Sequence, residues 1–381
     1  MPGLYLHIPF CEHKCVYCDF YSLAPTEERM DGEKMMSVFV NALLQEVSLR
    51  SAAVPADWIW DTIFLGGGTP SLMTAGQMDS ILSALHSHYR ISADAEITME
   101  ANPGTVSEER LAAFRSAGVN RISFGVQSFH EDELRFLTRI HSADAAEASV
   151  RAARRAGFDD LNIDLIFALP GHTLERWKTT LERALALAPT HLSCYSLIVE
   201  PNTPLLRMVE TRQVTLLDPE TDAVLYEYTL DRLERAGFEQ YEVSNFALPG
   251  RRSRHNDNYW NHGPYLGFGP SAHSFIPPMR SWNIANLSTY HARIAEGRLP
   301  TTGSEELRPE QMVTEAIFLG LRSDGLDTAR FDLQFGRRFL VEHEQSVESL
   351  VKDGLARLDG TVLRLTKKGY LVCDEICATF G

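Results

Sequence analysis

Cys11, Cys15 and Cys18 stand in Cys-x3-Cys-x2-Cys spacing directly after a short apolar run, Leu4 to Ile8. Three thiolates from one tight loop can hold three corners of a cubic iron–sulfur cluster and leave the fourth iron open to a small molecule. A closed zinc site asks for a fourth Cys or His at ligand spacing, and the nearby His7 and His13 keep that alternative open. A disulfide framework is the weaker alternative, because three is an odd number and the start of the chain is expected to carry no secretory signal.

A second set of residues has types that suit a polar small molecule. Gly66-Gly67-Gly68-Thr69-Pro70 allows close backbone approach, and its amides could meet a carboxylate or amine beside the cluster; a tight turn is the plain alternative. Glu100 could accept from an ammonium group or ribose hydroxyls. Gln127, Arg139 and Asp164 could bind further polar groups. A zwitterion carrying a nucleoside would use all of them.

These residues acquire meaning from the elements that position them. Short β-rich runs, Leu4–Ile8, Thr62–Leu65, Glu96–Glu100, Arg121–Gly125, Leu161–Ile166 and His191–Leu197, alternate with amphipathic stretches at Val38–Leu49, Gln77–Tyr89, Glu108–Ala117, Ala143–Ala156 and Leu174–Ala188. The alternation predicts an α/β fold with parallel strands and right-handed crossovers, either a barrel or a doubly wound sheet. Parallel strands end at one rim; the cysteine loop, the glycine run, Glu100 and Gln127 fall at predicted strand ends, and Asp164 sits late in the fifth strand. A further helix, Thr221–Ala236, leads toward a seventh strand at Gln240–Ser244. Residues 246–305 are rich in Gly, Pro, Asn, His and aromatics and read as a loop-rich connection after a first domain of residues 1–245. Residues 306–381 read as a small, mostly helical, winged-helix-like domain with a hairpin turn at Asp359-Gly360.

Composition narrows the class. The chain has 381 residues, is 44% hydrophobic and 23% charged, and carries a net charge of −15, which argues against a general nucleic-acid binder. No apolar run approaches the roughly 20 residues of a membrane span. Six cysteines, three crowded near the start, fit a reducing, cytoplasmic location.

The cysteine and glycine motifs together resemble those of the radical S-adenosylmethionine superfamily. More narrowly, Leu4 to Cys11, Gly125-Val126-Gln127-Ser128-Phe129, Asn162 to Ile166, Ala168-Leu169-Pro170-Gly171 and His255-Asn256-Asp257-Asn258-Tyr259-Trp260 resemble the oxygen-independent coproporphyrinogen III oxidase group, especially its heme-chaperone branch. The resemblance implies a partial (β/α)6 barrel with a helical C-terminal domain. It implies that Cys11, Cys15 and Cys18 bind a [4Fe-4S] cluster and that Tyr5, Gly67, Gly68, Thr69 and Glu100 contact S-adenosylmethionine. Tyr17, Gln127, Arg139 and Asp164 match positions that hold a second such molecule in the oxidase. It further implies an electron donor such as flavodoxin or ferredoxin, a monomer or homodimer, and heme passed to an acceptor such as a respiratory-chain hemoprotein.

Two departures favour the chaperone branch over decarboxylation of coproporphyrinogen. Phe20 stands where the oxidase has a fourth cysteine, and the chain starts at the strand before the cysteines. For heme itself, His255 in the His-Asn-x-x-Tyr-Trp string is the expected iron ligand by resemblance, beside His262, Tyr265 and His273. Read from the residues alone, a His in an aromatic loop is a hydrogen-bonded packing residue. Cys194 and the pair Cys373 and Cys377 are further candidates, which as buried thiols also read as small hydrophobes.

Overall fold

The computed structural model describes residues 2–24, 32–52, 54–55 and 57–380. Six strands, β1 (Gly3–Ile8), β2 (Ile59–Gly67), β3 (Arg90–Ala101), β4 (Arg121–Gln127), β5 (Asp160–Phe167) and β6 (His191–Ser196), pair in parallel and in chain order. The crossover helices are Gly32–Ser51, Ala75–His88, Glu108–Ala117, Ala143–Arg155 and Leu174–Ala186. Their starts are set by Thr74, Ser107, Ser142 and Thr173, whose hydroxyls accept backbone N–H groups of the first turn. Gly118 and Gly157 end two of them at positive φ, as their sequence positions predict.

Strand alternation explains why the inner face carries polar groups. Leu4, Leu6 and Ile8, Ile63 and Leu65, Ile122, Phe124 and Val126, and Leu161, Ile163 and Leu165 are fully or almost fully buried in one cluster with the crossover helices. The intervening residues, Thr62, Glu96, Thr98, Glu100, Ser123, Asn162, Asp164, His191 and Ser193, face the other way; most bond to one another, while Thr62 pairs with His255 and Glu100 accepts from the Gly67 amide. Asn162 alone donates to Ser123 and Ser193 and pairs with His191 at 2.6 Å. Burial of these groups is tolerated because each finds a partner.

The segment 246–305 is not a loop-rich connection. After a short antiparallel pair, β7 (Glu239–Gln240) and β8 (Asn245–Ala247), it forms β9 (Tyr265–Phe268), β10 (His273–Ile276), β11 (Met279–Asn283) and β12 (Thr301–Glu306). The predicted seventh strand at Gln240–Ser244 is thus replaced by the β7–β8 pair, with β8 antiparallel to β6. Among the described residues the sheet has twelve strands in the order β12-β11-β10-β9-β1-β2-β3-β4-β5-β6-β8-β7, and β9 joins β1 in parallel. The new strands are locked to the first crossover helix by a buried carboxylate. Glu46 accepts from Arg50, Gly269, Asn283 and Tyr290 at 2.7–2.8 Å.

The helix Arg254–Trp260 lies against the inner face of the sheet. Its N-terminal amides at Arg254 and His255 donate to Glu96 of β3 at 2.9 and 3.1 Å, where a carboxylate also favours the helix dipole. Beyond it, helices Pro309–Leu321, Thr328–Phe335 and Glu344–Lys352 pack with β13 (Leu326–Asp327), β14 (Ala356–Asp359) and β15 (Val362–Leu365) around a separate core. The β14–β15 hairpin turns at Gly360-Thr361, one residue beyond the expected Asp359-Gly360, because Asp359 still pairs with Val362.

Candidate active site and adjoining hollow

The C-terminal ends of β1 to β6 enclose a cavity of about 370 Å³. It brings together Cys11, Cys15, Cys18, Tyr17, Gly67, Gly68, Thr69, Glu100, Gln127, Arg139 and Asp164. A single cavity shared by the loop after β1 and the end of β6 requires the open sheet to curve, as a partial barrel does. Tyr5 and His255, from the same sequence-derived set, do not line it.

The cysteine loop is held from several sides. Cys11 N–H donates to the Leu23 carbonyl at 3.0 Å, Val16 N–H to the Thr138 hydroxyl at 3.1 Å, and Leu205 N–H to the Val16 carbonyl at 2.9 Å. The glycine run, which ends β2, is packed against the end of β1, the strand that leads into the cysteine loop. A Cβ on Gly68 would lie 2.6 Å from the Phe10 carbonyl oxygen and 2.7 Å from that of Ile8. The amides expected to meet a ligand are already engaged: Gly67 N–H donates to Glu100 at 3.1 Å, Gly68 N–H to Ile8, and Thr69 N–H to Phe10. These glycines serve backbone approach within the protein.

Side chains donate to sulfur at two of the three thiols among the described residues. Thr69 donates to Cys11 Sγ at 3.5 Å and Arg139 to Cys15 Sγ at 3.4 Å. Arg139 is itself held by the Gly125 carbonyl at 2.6 Å and by Asn102. Burial pushes the Cys18 thiol up to about 11 and raises that of Cys11 as well. Thiols in such surroundings ionise when a metal supplies the compensating charge, and donors to sulfur are the contacts that tune a cluster. The donor set fits an iron–sulfur cluster.

The acids opposite the thiols are desolvated. Burial pushes the Glu100 carboxyl up to about 8, with Asp164 adding to the rise and the Gly67 amide opposing it. Asp164 is raised by burial too, although Ser123 and Asn162 donate to it at 3.0 and 2.6 Å. Gln127 is aimed by a bulge where β4 slips against β5, and its φ of 70° puts a non-glycine residue in the left-handed region. The sequence offers no signal for that bulge. Nor does it mark the exposed apolar rim, where Phe20 is 57% and Ile198 66% exposed beside Tyr195.

His255 is a packing residue. It is fully buried, pairs through Nδ1 with Thr62 at 2.7 Å and through Nε2 with Tyr259 at 2.9 Å, and stacks on Phe64. Desolvation, with Arg121 adding repulsion, pushes it down to about 3. Both ring nitrogens are hydrogen-bonded, so coordination of iron here would require breaking the bond at the nitrogen that accepts. Tyr5, whose hydroxyl pairs with His7 at 3.0 Å, lines an adjoining hollow instead of the thiol cavity. Cys194, Cys373 and Cys377 are buried in apolar cores, Cys373 beside Arg322.

With this geometry in view, the similarities to known proteins are specific. The Radical SAM superfamily model matches residues 5–184, and the HemN C-terminal domain model matches residues 307–372. The chain is 36% identical over 382 residues to the heme chaperone HemW of Bacillus subtilis (strain 168), spanning 100% of this chain and 99% of that protein. It is 42% identical over 291 residues to the heme chaperone HemW of Escherichia coli (strain K12), covering 76% and 74% of the two chains. A mouse (Mus musculus) protein, radical S-adenosyl methionine domain-containing protein 1, mitochondrial, is 35% identical over 391 residues, with 99% and 86% covered. Among solved structures, the coproporphyrinogen III oxidase HemN of Escherichia coli, a radical SAM enzyme, superposes with a TM-score of 0.84 at 26% identity, covering 100% of this chain and 89% of the other.

Proposed function

The chain belongs to the HemW family of heme chaperones within the radical SAM superfamily, and from that premise we propose that it binds heme and passes it to an acceptor hemoprotein. The observation that carries this reading is end-to-end similarity to a protein named as a heme chaperone, at 99% of that relative's length. In this reading Cys11, Cys15 and Cys18 hold a [4Fe-4S] cluster, and Thr69 and Arg139 stabilise two of its thiolates. Glu100, with Gln127 and Asp164, binds the polar groups of S-adenosylmethionine in the same cavity. When bound together, the cluster would supply an electron and S-adenosylmethionine the sulfonium that accepts it. Protein groups orient that cofactor and exclude water. The electron comes from a donor such as flavodoxin or ferredoxin, and the heme goes to an acceptor such as a respiratory-chain hemoprotein. Among the described residues no helix is long and apolar enough to cross a membrane.

The second reading, oxidation of coproporphyrinogen III, is favoured by the fold shared with HemN. Phe20, in place of the oxidase's fourth cysteine, weighs against it. Anaerobic reconstitution with iron and sulfide, followed by heme titration, separates the two. The chaperone reading expects saturable binding of one heme per chain and no carbon dioxide from coproporphyrinogen under reducing conditions. Release of two carbon dioxide molecules per porphyrin establishes the oxidase instead.

A further inference from the structure

Next to the thiol cavity lies a second hollow of about 320 Å³ walled by Tyr5, Phe20, Tyr21, Tyr259 and Tyr265, with His273 at its edge. Asp19 and Phe20 line both spaces, so one wall separates them. We propose that this hollow seats the porphyrin ring and that His273 is the iron ligand. The proposal rests on the heme-chaperone reading and names the place on this chain where the cargo sits.

The imidazoles of the region divide cleanly. His255 and His7 are buried with both ring nitrogens engaged, His7 by Tyr5 and by the Tyr21 carbonyl. His262 lies flat on Phe275 and gives Nε2 to Glu315 at 3.1 Å. His273 is exposed, and among the described residues its nitrogens have no hydrogen-bond partner. Its ring is nevertheless oriented. It stacks on Trp282, its cross-strand neighbour on β11, with centroids 6.0 Å apart. Behind it the chain runs too close to β9 for any side chain at Gly267, where a Cβ would meet the His273 carbonyl at 2.1 Å. Partial burial of the imidazole, and then Arg280, lower its pKa, which favours the neutral form that coordinates iron.

The walls are mostly aromatic rings that can lie against a flat ring, with tyrosine hydroxyls, Asp19 and Ser271 adding polar groups. Tyr259 and Tyr265 meet edge to face with centroids 4.6 Å apart, giving a rigid aromatic corner. The His255 bond to the Tyr259 hydroxyl holds that corner in place, which gives the His-Asn-x-x-Tyr-Trp string a role in building the pocket. Lys14, which lines the thiol cavity and whose ammonium donates to the Phe20 carbonyl at 3.2 Å, places positive charge on that side of the wall, whereas Asp19 brings a carboxylate to both spaces. The hollow is smaller than a whole porphyrin, so part of the ring remains outside it. A cargo that must be handed on is better held this way than enclosed.

The test uses the full, cluster-reconstituted chain titrated anaerobically with hemin, read by the Soret band and by low-temperature EPR. Wild type is expected to saturate with an imidazole-ligated spectrum. His273→Ala, an exposed change, is expected to keep the wild-type melting temperature, lose that signature and weaken binding at least tenfold. His273→Met is expected to restore a ligated spectrum at a shifted wavelength. His88→Ala, an exposed imidazole on a crossover helix, is expected to bind as wild type. Wild-type spectrum and affinity in His273→Ala overturn the site while leaving the chaperone reading intact. A wild-type chain with no saturable binding overturns both.

Discussion

The Glu46 carboxylate accepts a hydrogen bond from the Asn283 side-chain amide at 2.8 Å across 237 residues of chain. The first crossover helix and β11 are thereby joined inside the protein, and Arg50 completes the pair with no exposure of Glu46. Removing one partner of a buried ion pair leaves the other charge uncompensated, which costs about 3–5 kcal/mol. Glu46→Ala is therefore expected to lower the urea midpoint strongly and to loosen β9–β12, measured by hydrogen exchange at Gly269 and Asn283. An unchanged midpoint contradicts the role assigned to this carboxylate.

His255→Ala separates packing from ligation. The change leaves Thr62 and Tyr259 without their partner, and each unsatisfied buried group costs about 1–3 kcal/mol. A lower melting temperature is expected, with the imidazole-ligated heme spectrum still present at temperatures where the variant is folded. A variant as stable as wild type but spectroscopically altered would show instead that His255 reaches the iron.

Gly68→Ala tests how the cysteine loop is set. The new methyl would press on two backbone carbonyls, those of Phe10 and Ile8, and neither can rotate away. The expected result is a folded chain that incorporates iron and sulfide severalfold less completely after reconstitution. Wild-type loading measured by iron and sulfide analysis counts against the packing argument.

Glu100 predicts a pH dependence. Its carboxyl is raised from 4.5 to about 8, so between those values the folded chain holds a proton that the unfolded chain has lost. That contribution to stability is present at low pH and fades as pH rises through the window. Binding of a cationic ligand needs the ionised form, so affinity for S-adenosylmethionine should rise with pH up to and past 8, with proton release on binding. Calorimetry in buffers of different ionisation enthalpy measures that release. Glu100→Gln should flatten the profile, and a flat wild-type profile contradicts the assignment.

Much of this architecture is legible in the residues because parallel strands impose a simple rule. Leu161, Ile163 and Leu165 alternate with Asn162 and Asp164, and that period marks both the strand and the polar side that faces the cavity. The stretch from Tyr265 to Glu306 hides its strands for physical reasons. Each spans four to six residues, and its buried face is built from groups such as Gly267, Ser274 and Asn283, which read as turn residues. Strand-end position is enough to bring Glu100, Gln127 and Asp164 together. It does not reveal that Tyr5 faces a neighbouring hollow or that both nitrogens of His255 are engaged, because those facts depend on partners supplied from distant parts of the chain.

Mössbauer spectroscopy of 57Fe-reconstituted chain, with and without S-adenosylmethionine, bears most directly on the thiol cavity. The expected spectrum is that of a cubane held by three cysteines, in which one iron site changes when the sulfonium ligand is added. Absence of a cubane, or a spectrum indifferent to the ligand, contradicts the assignment of Cys11, Cys15 and Cys18.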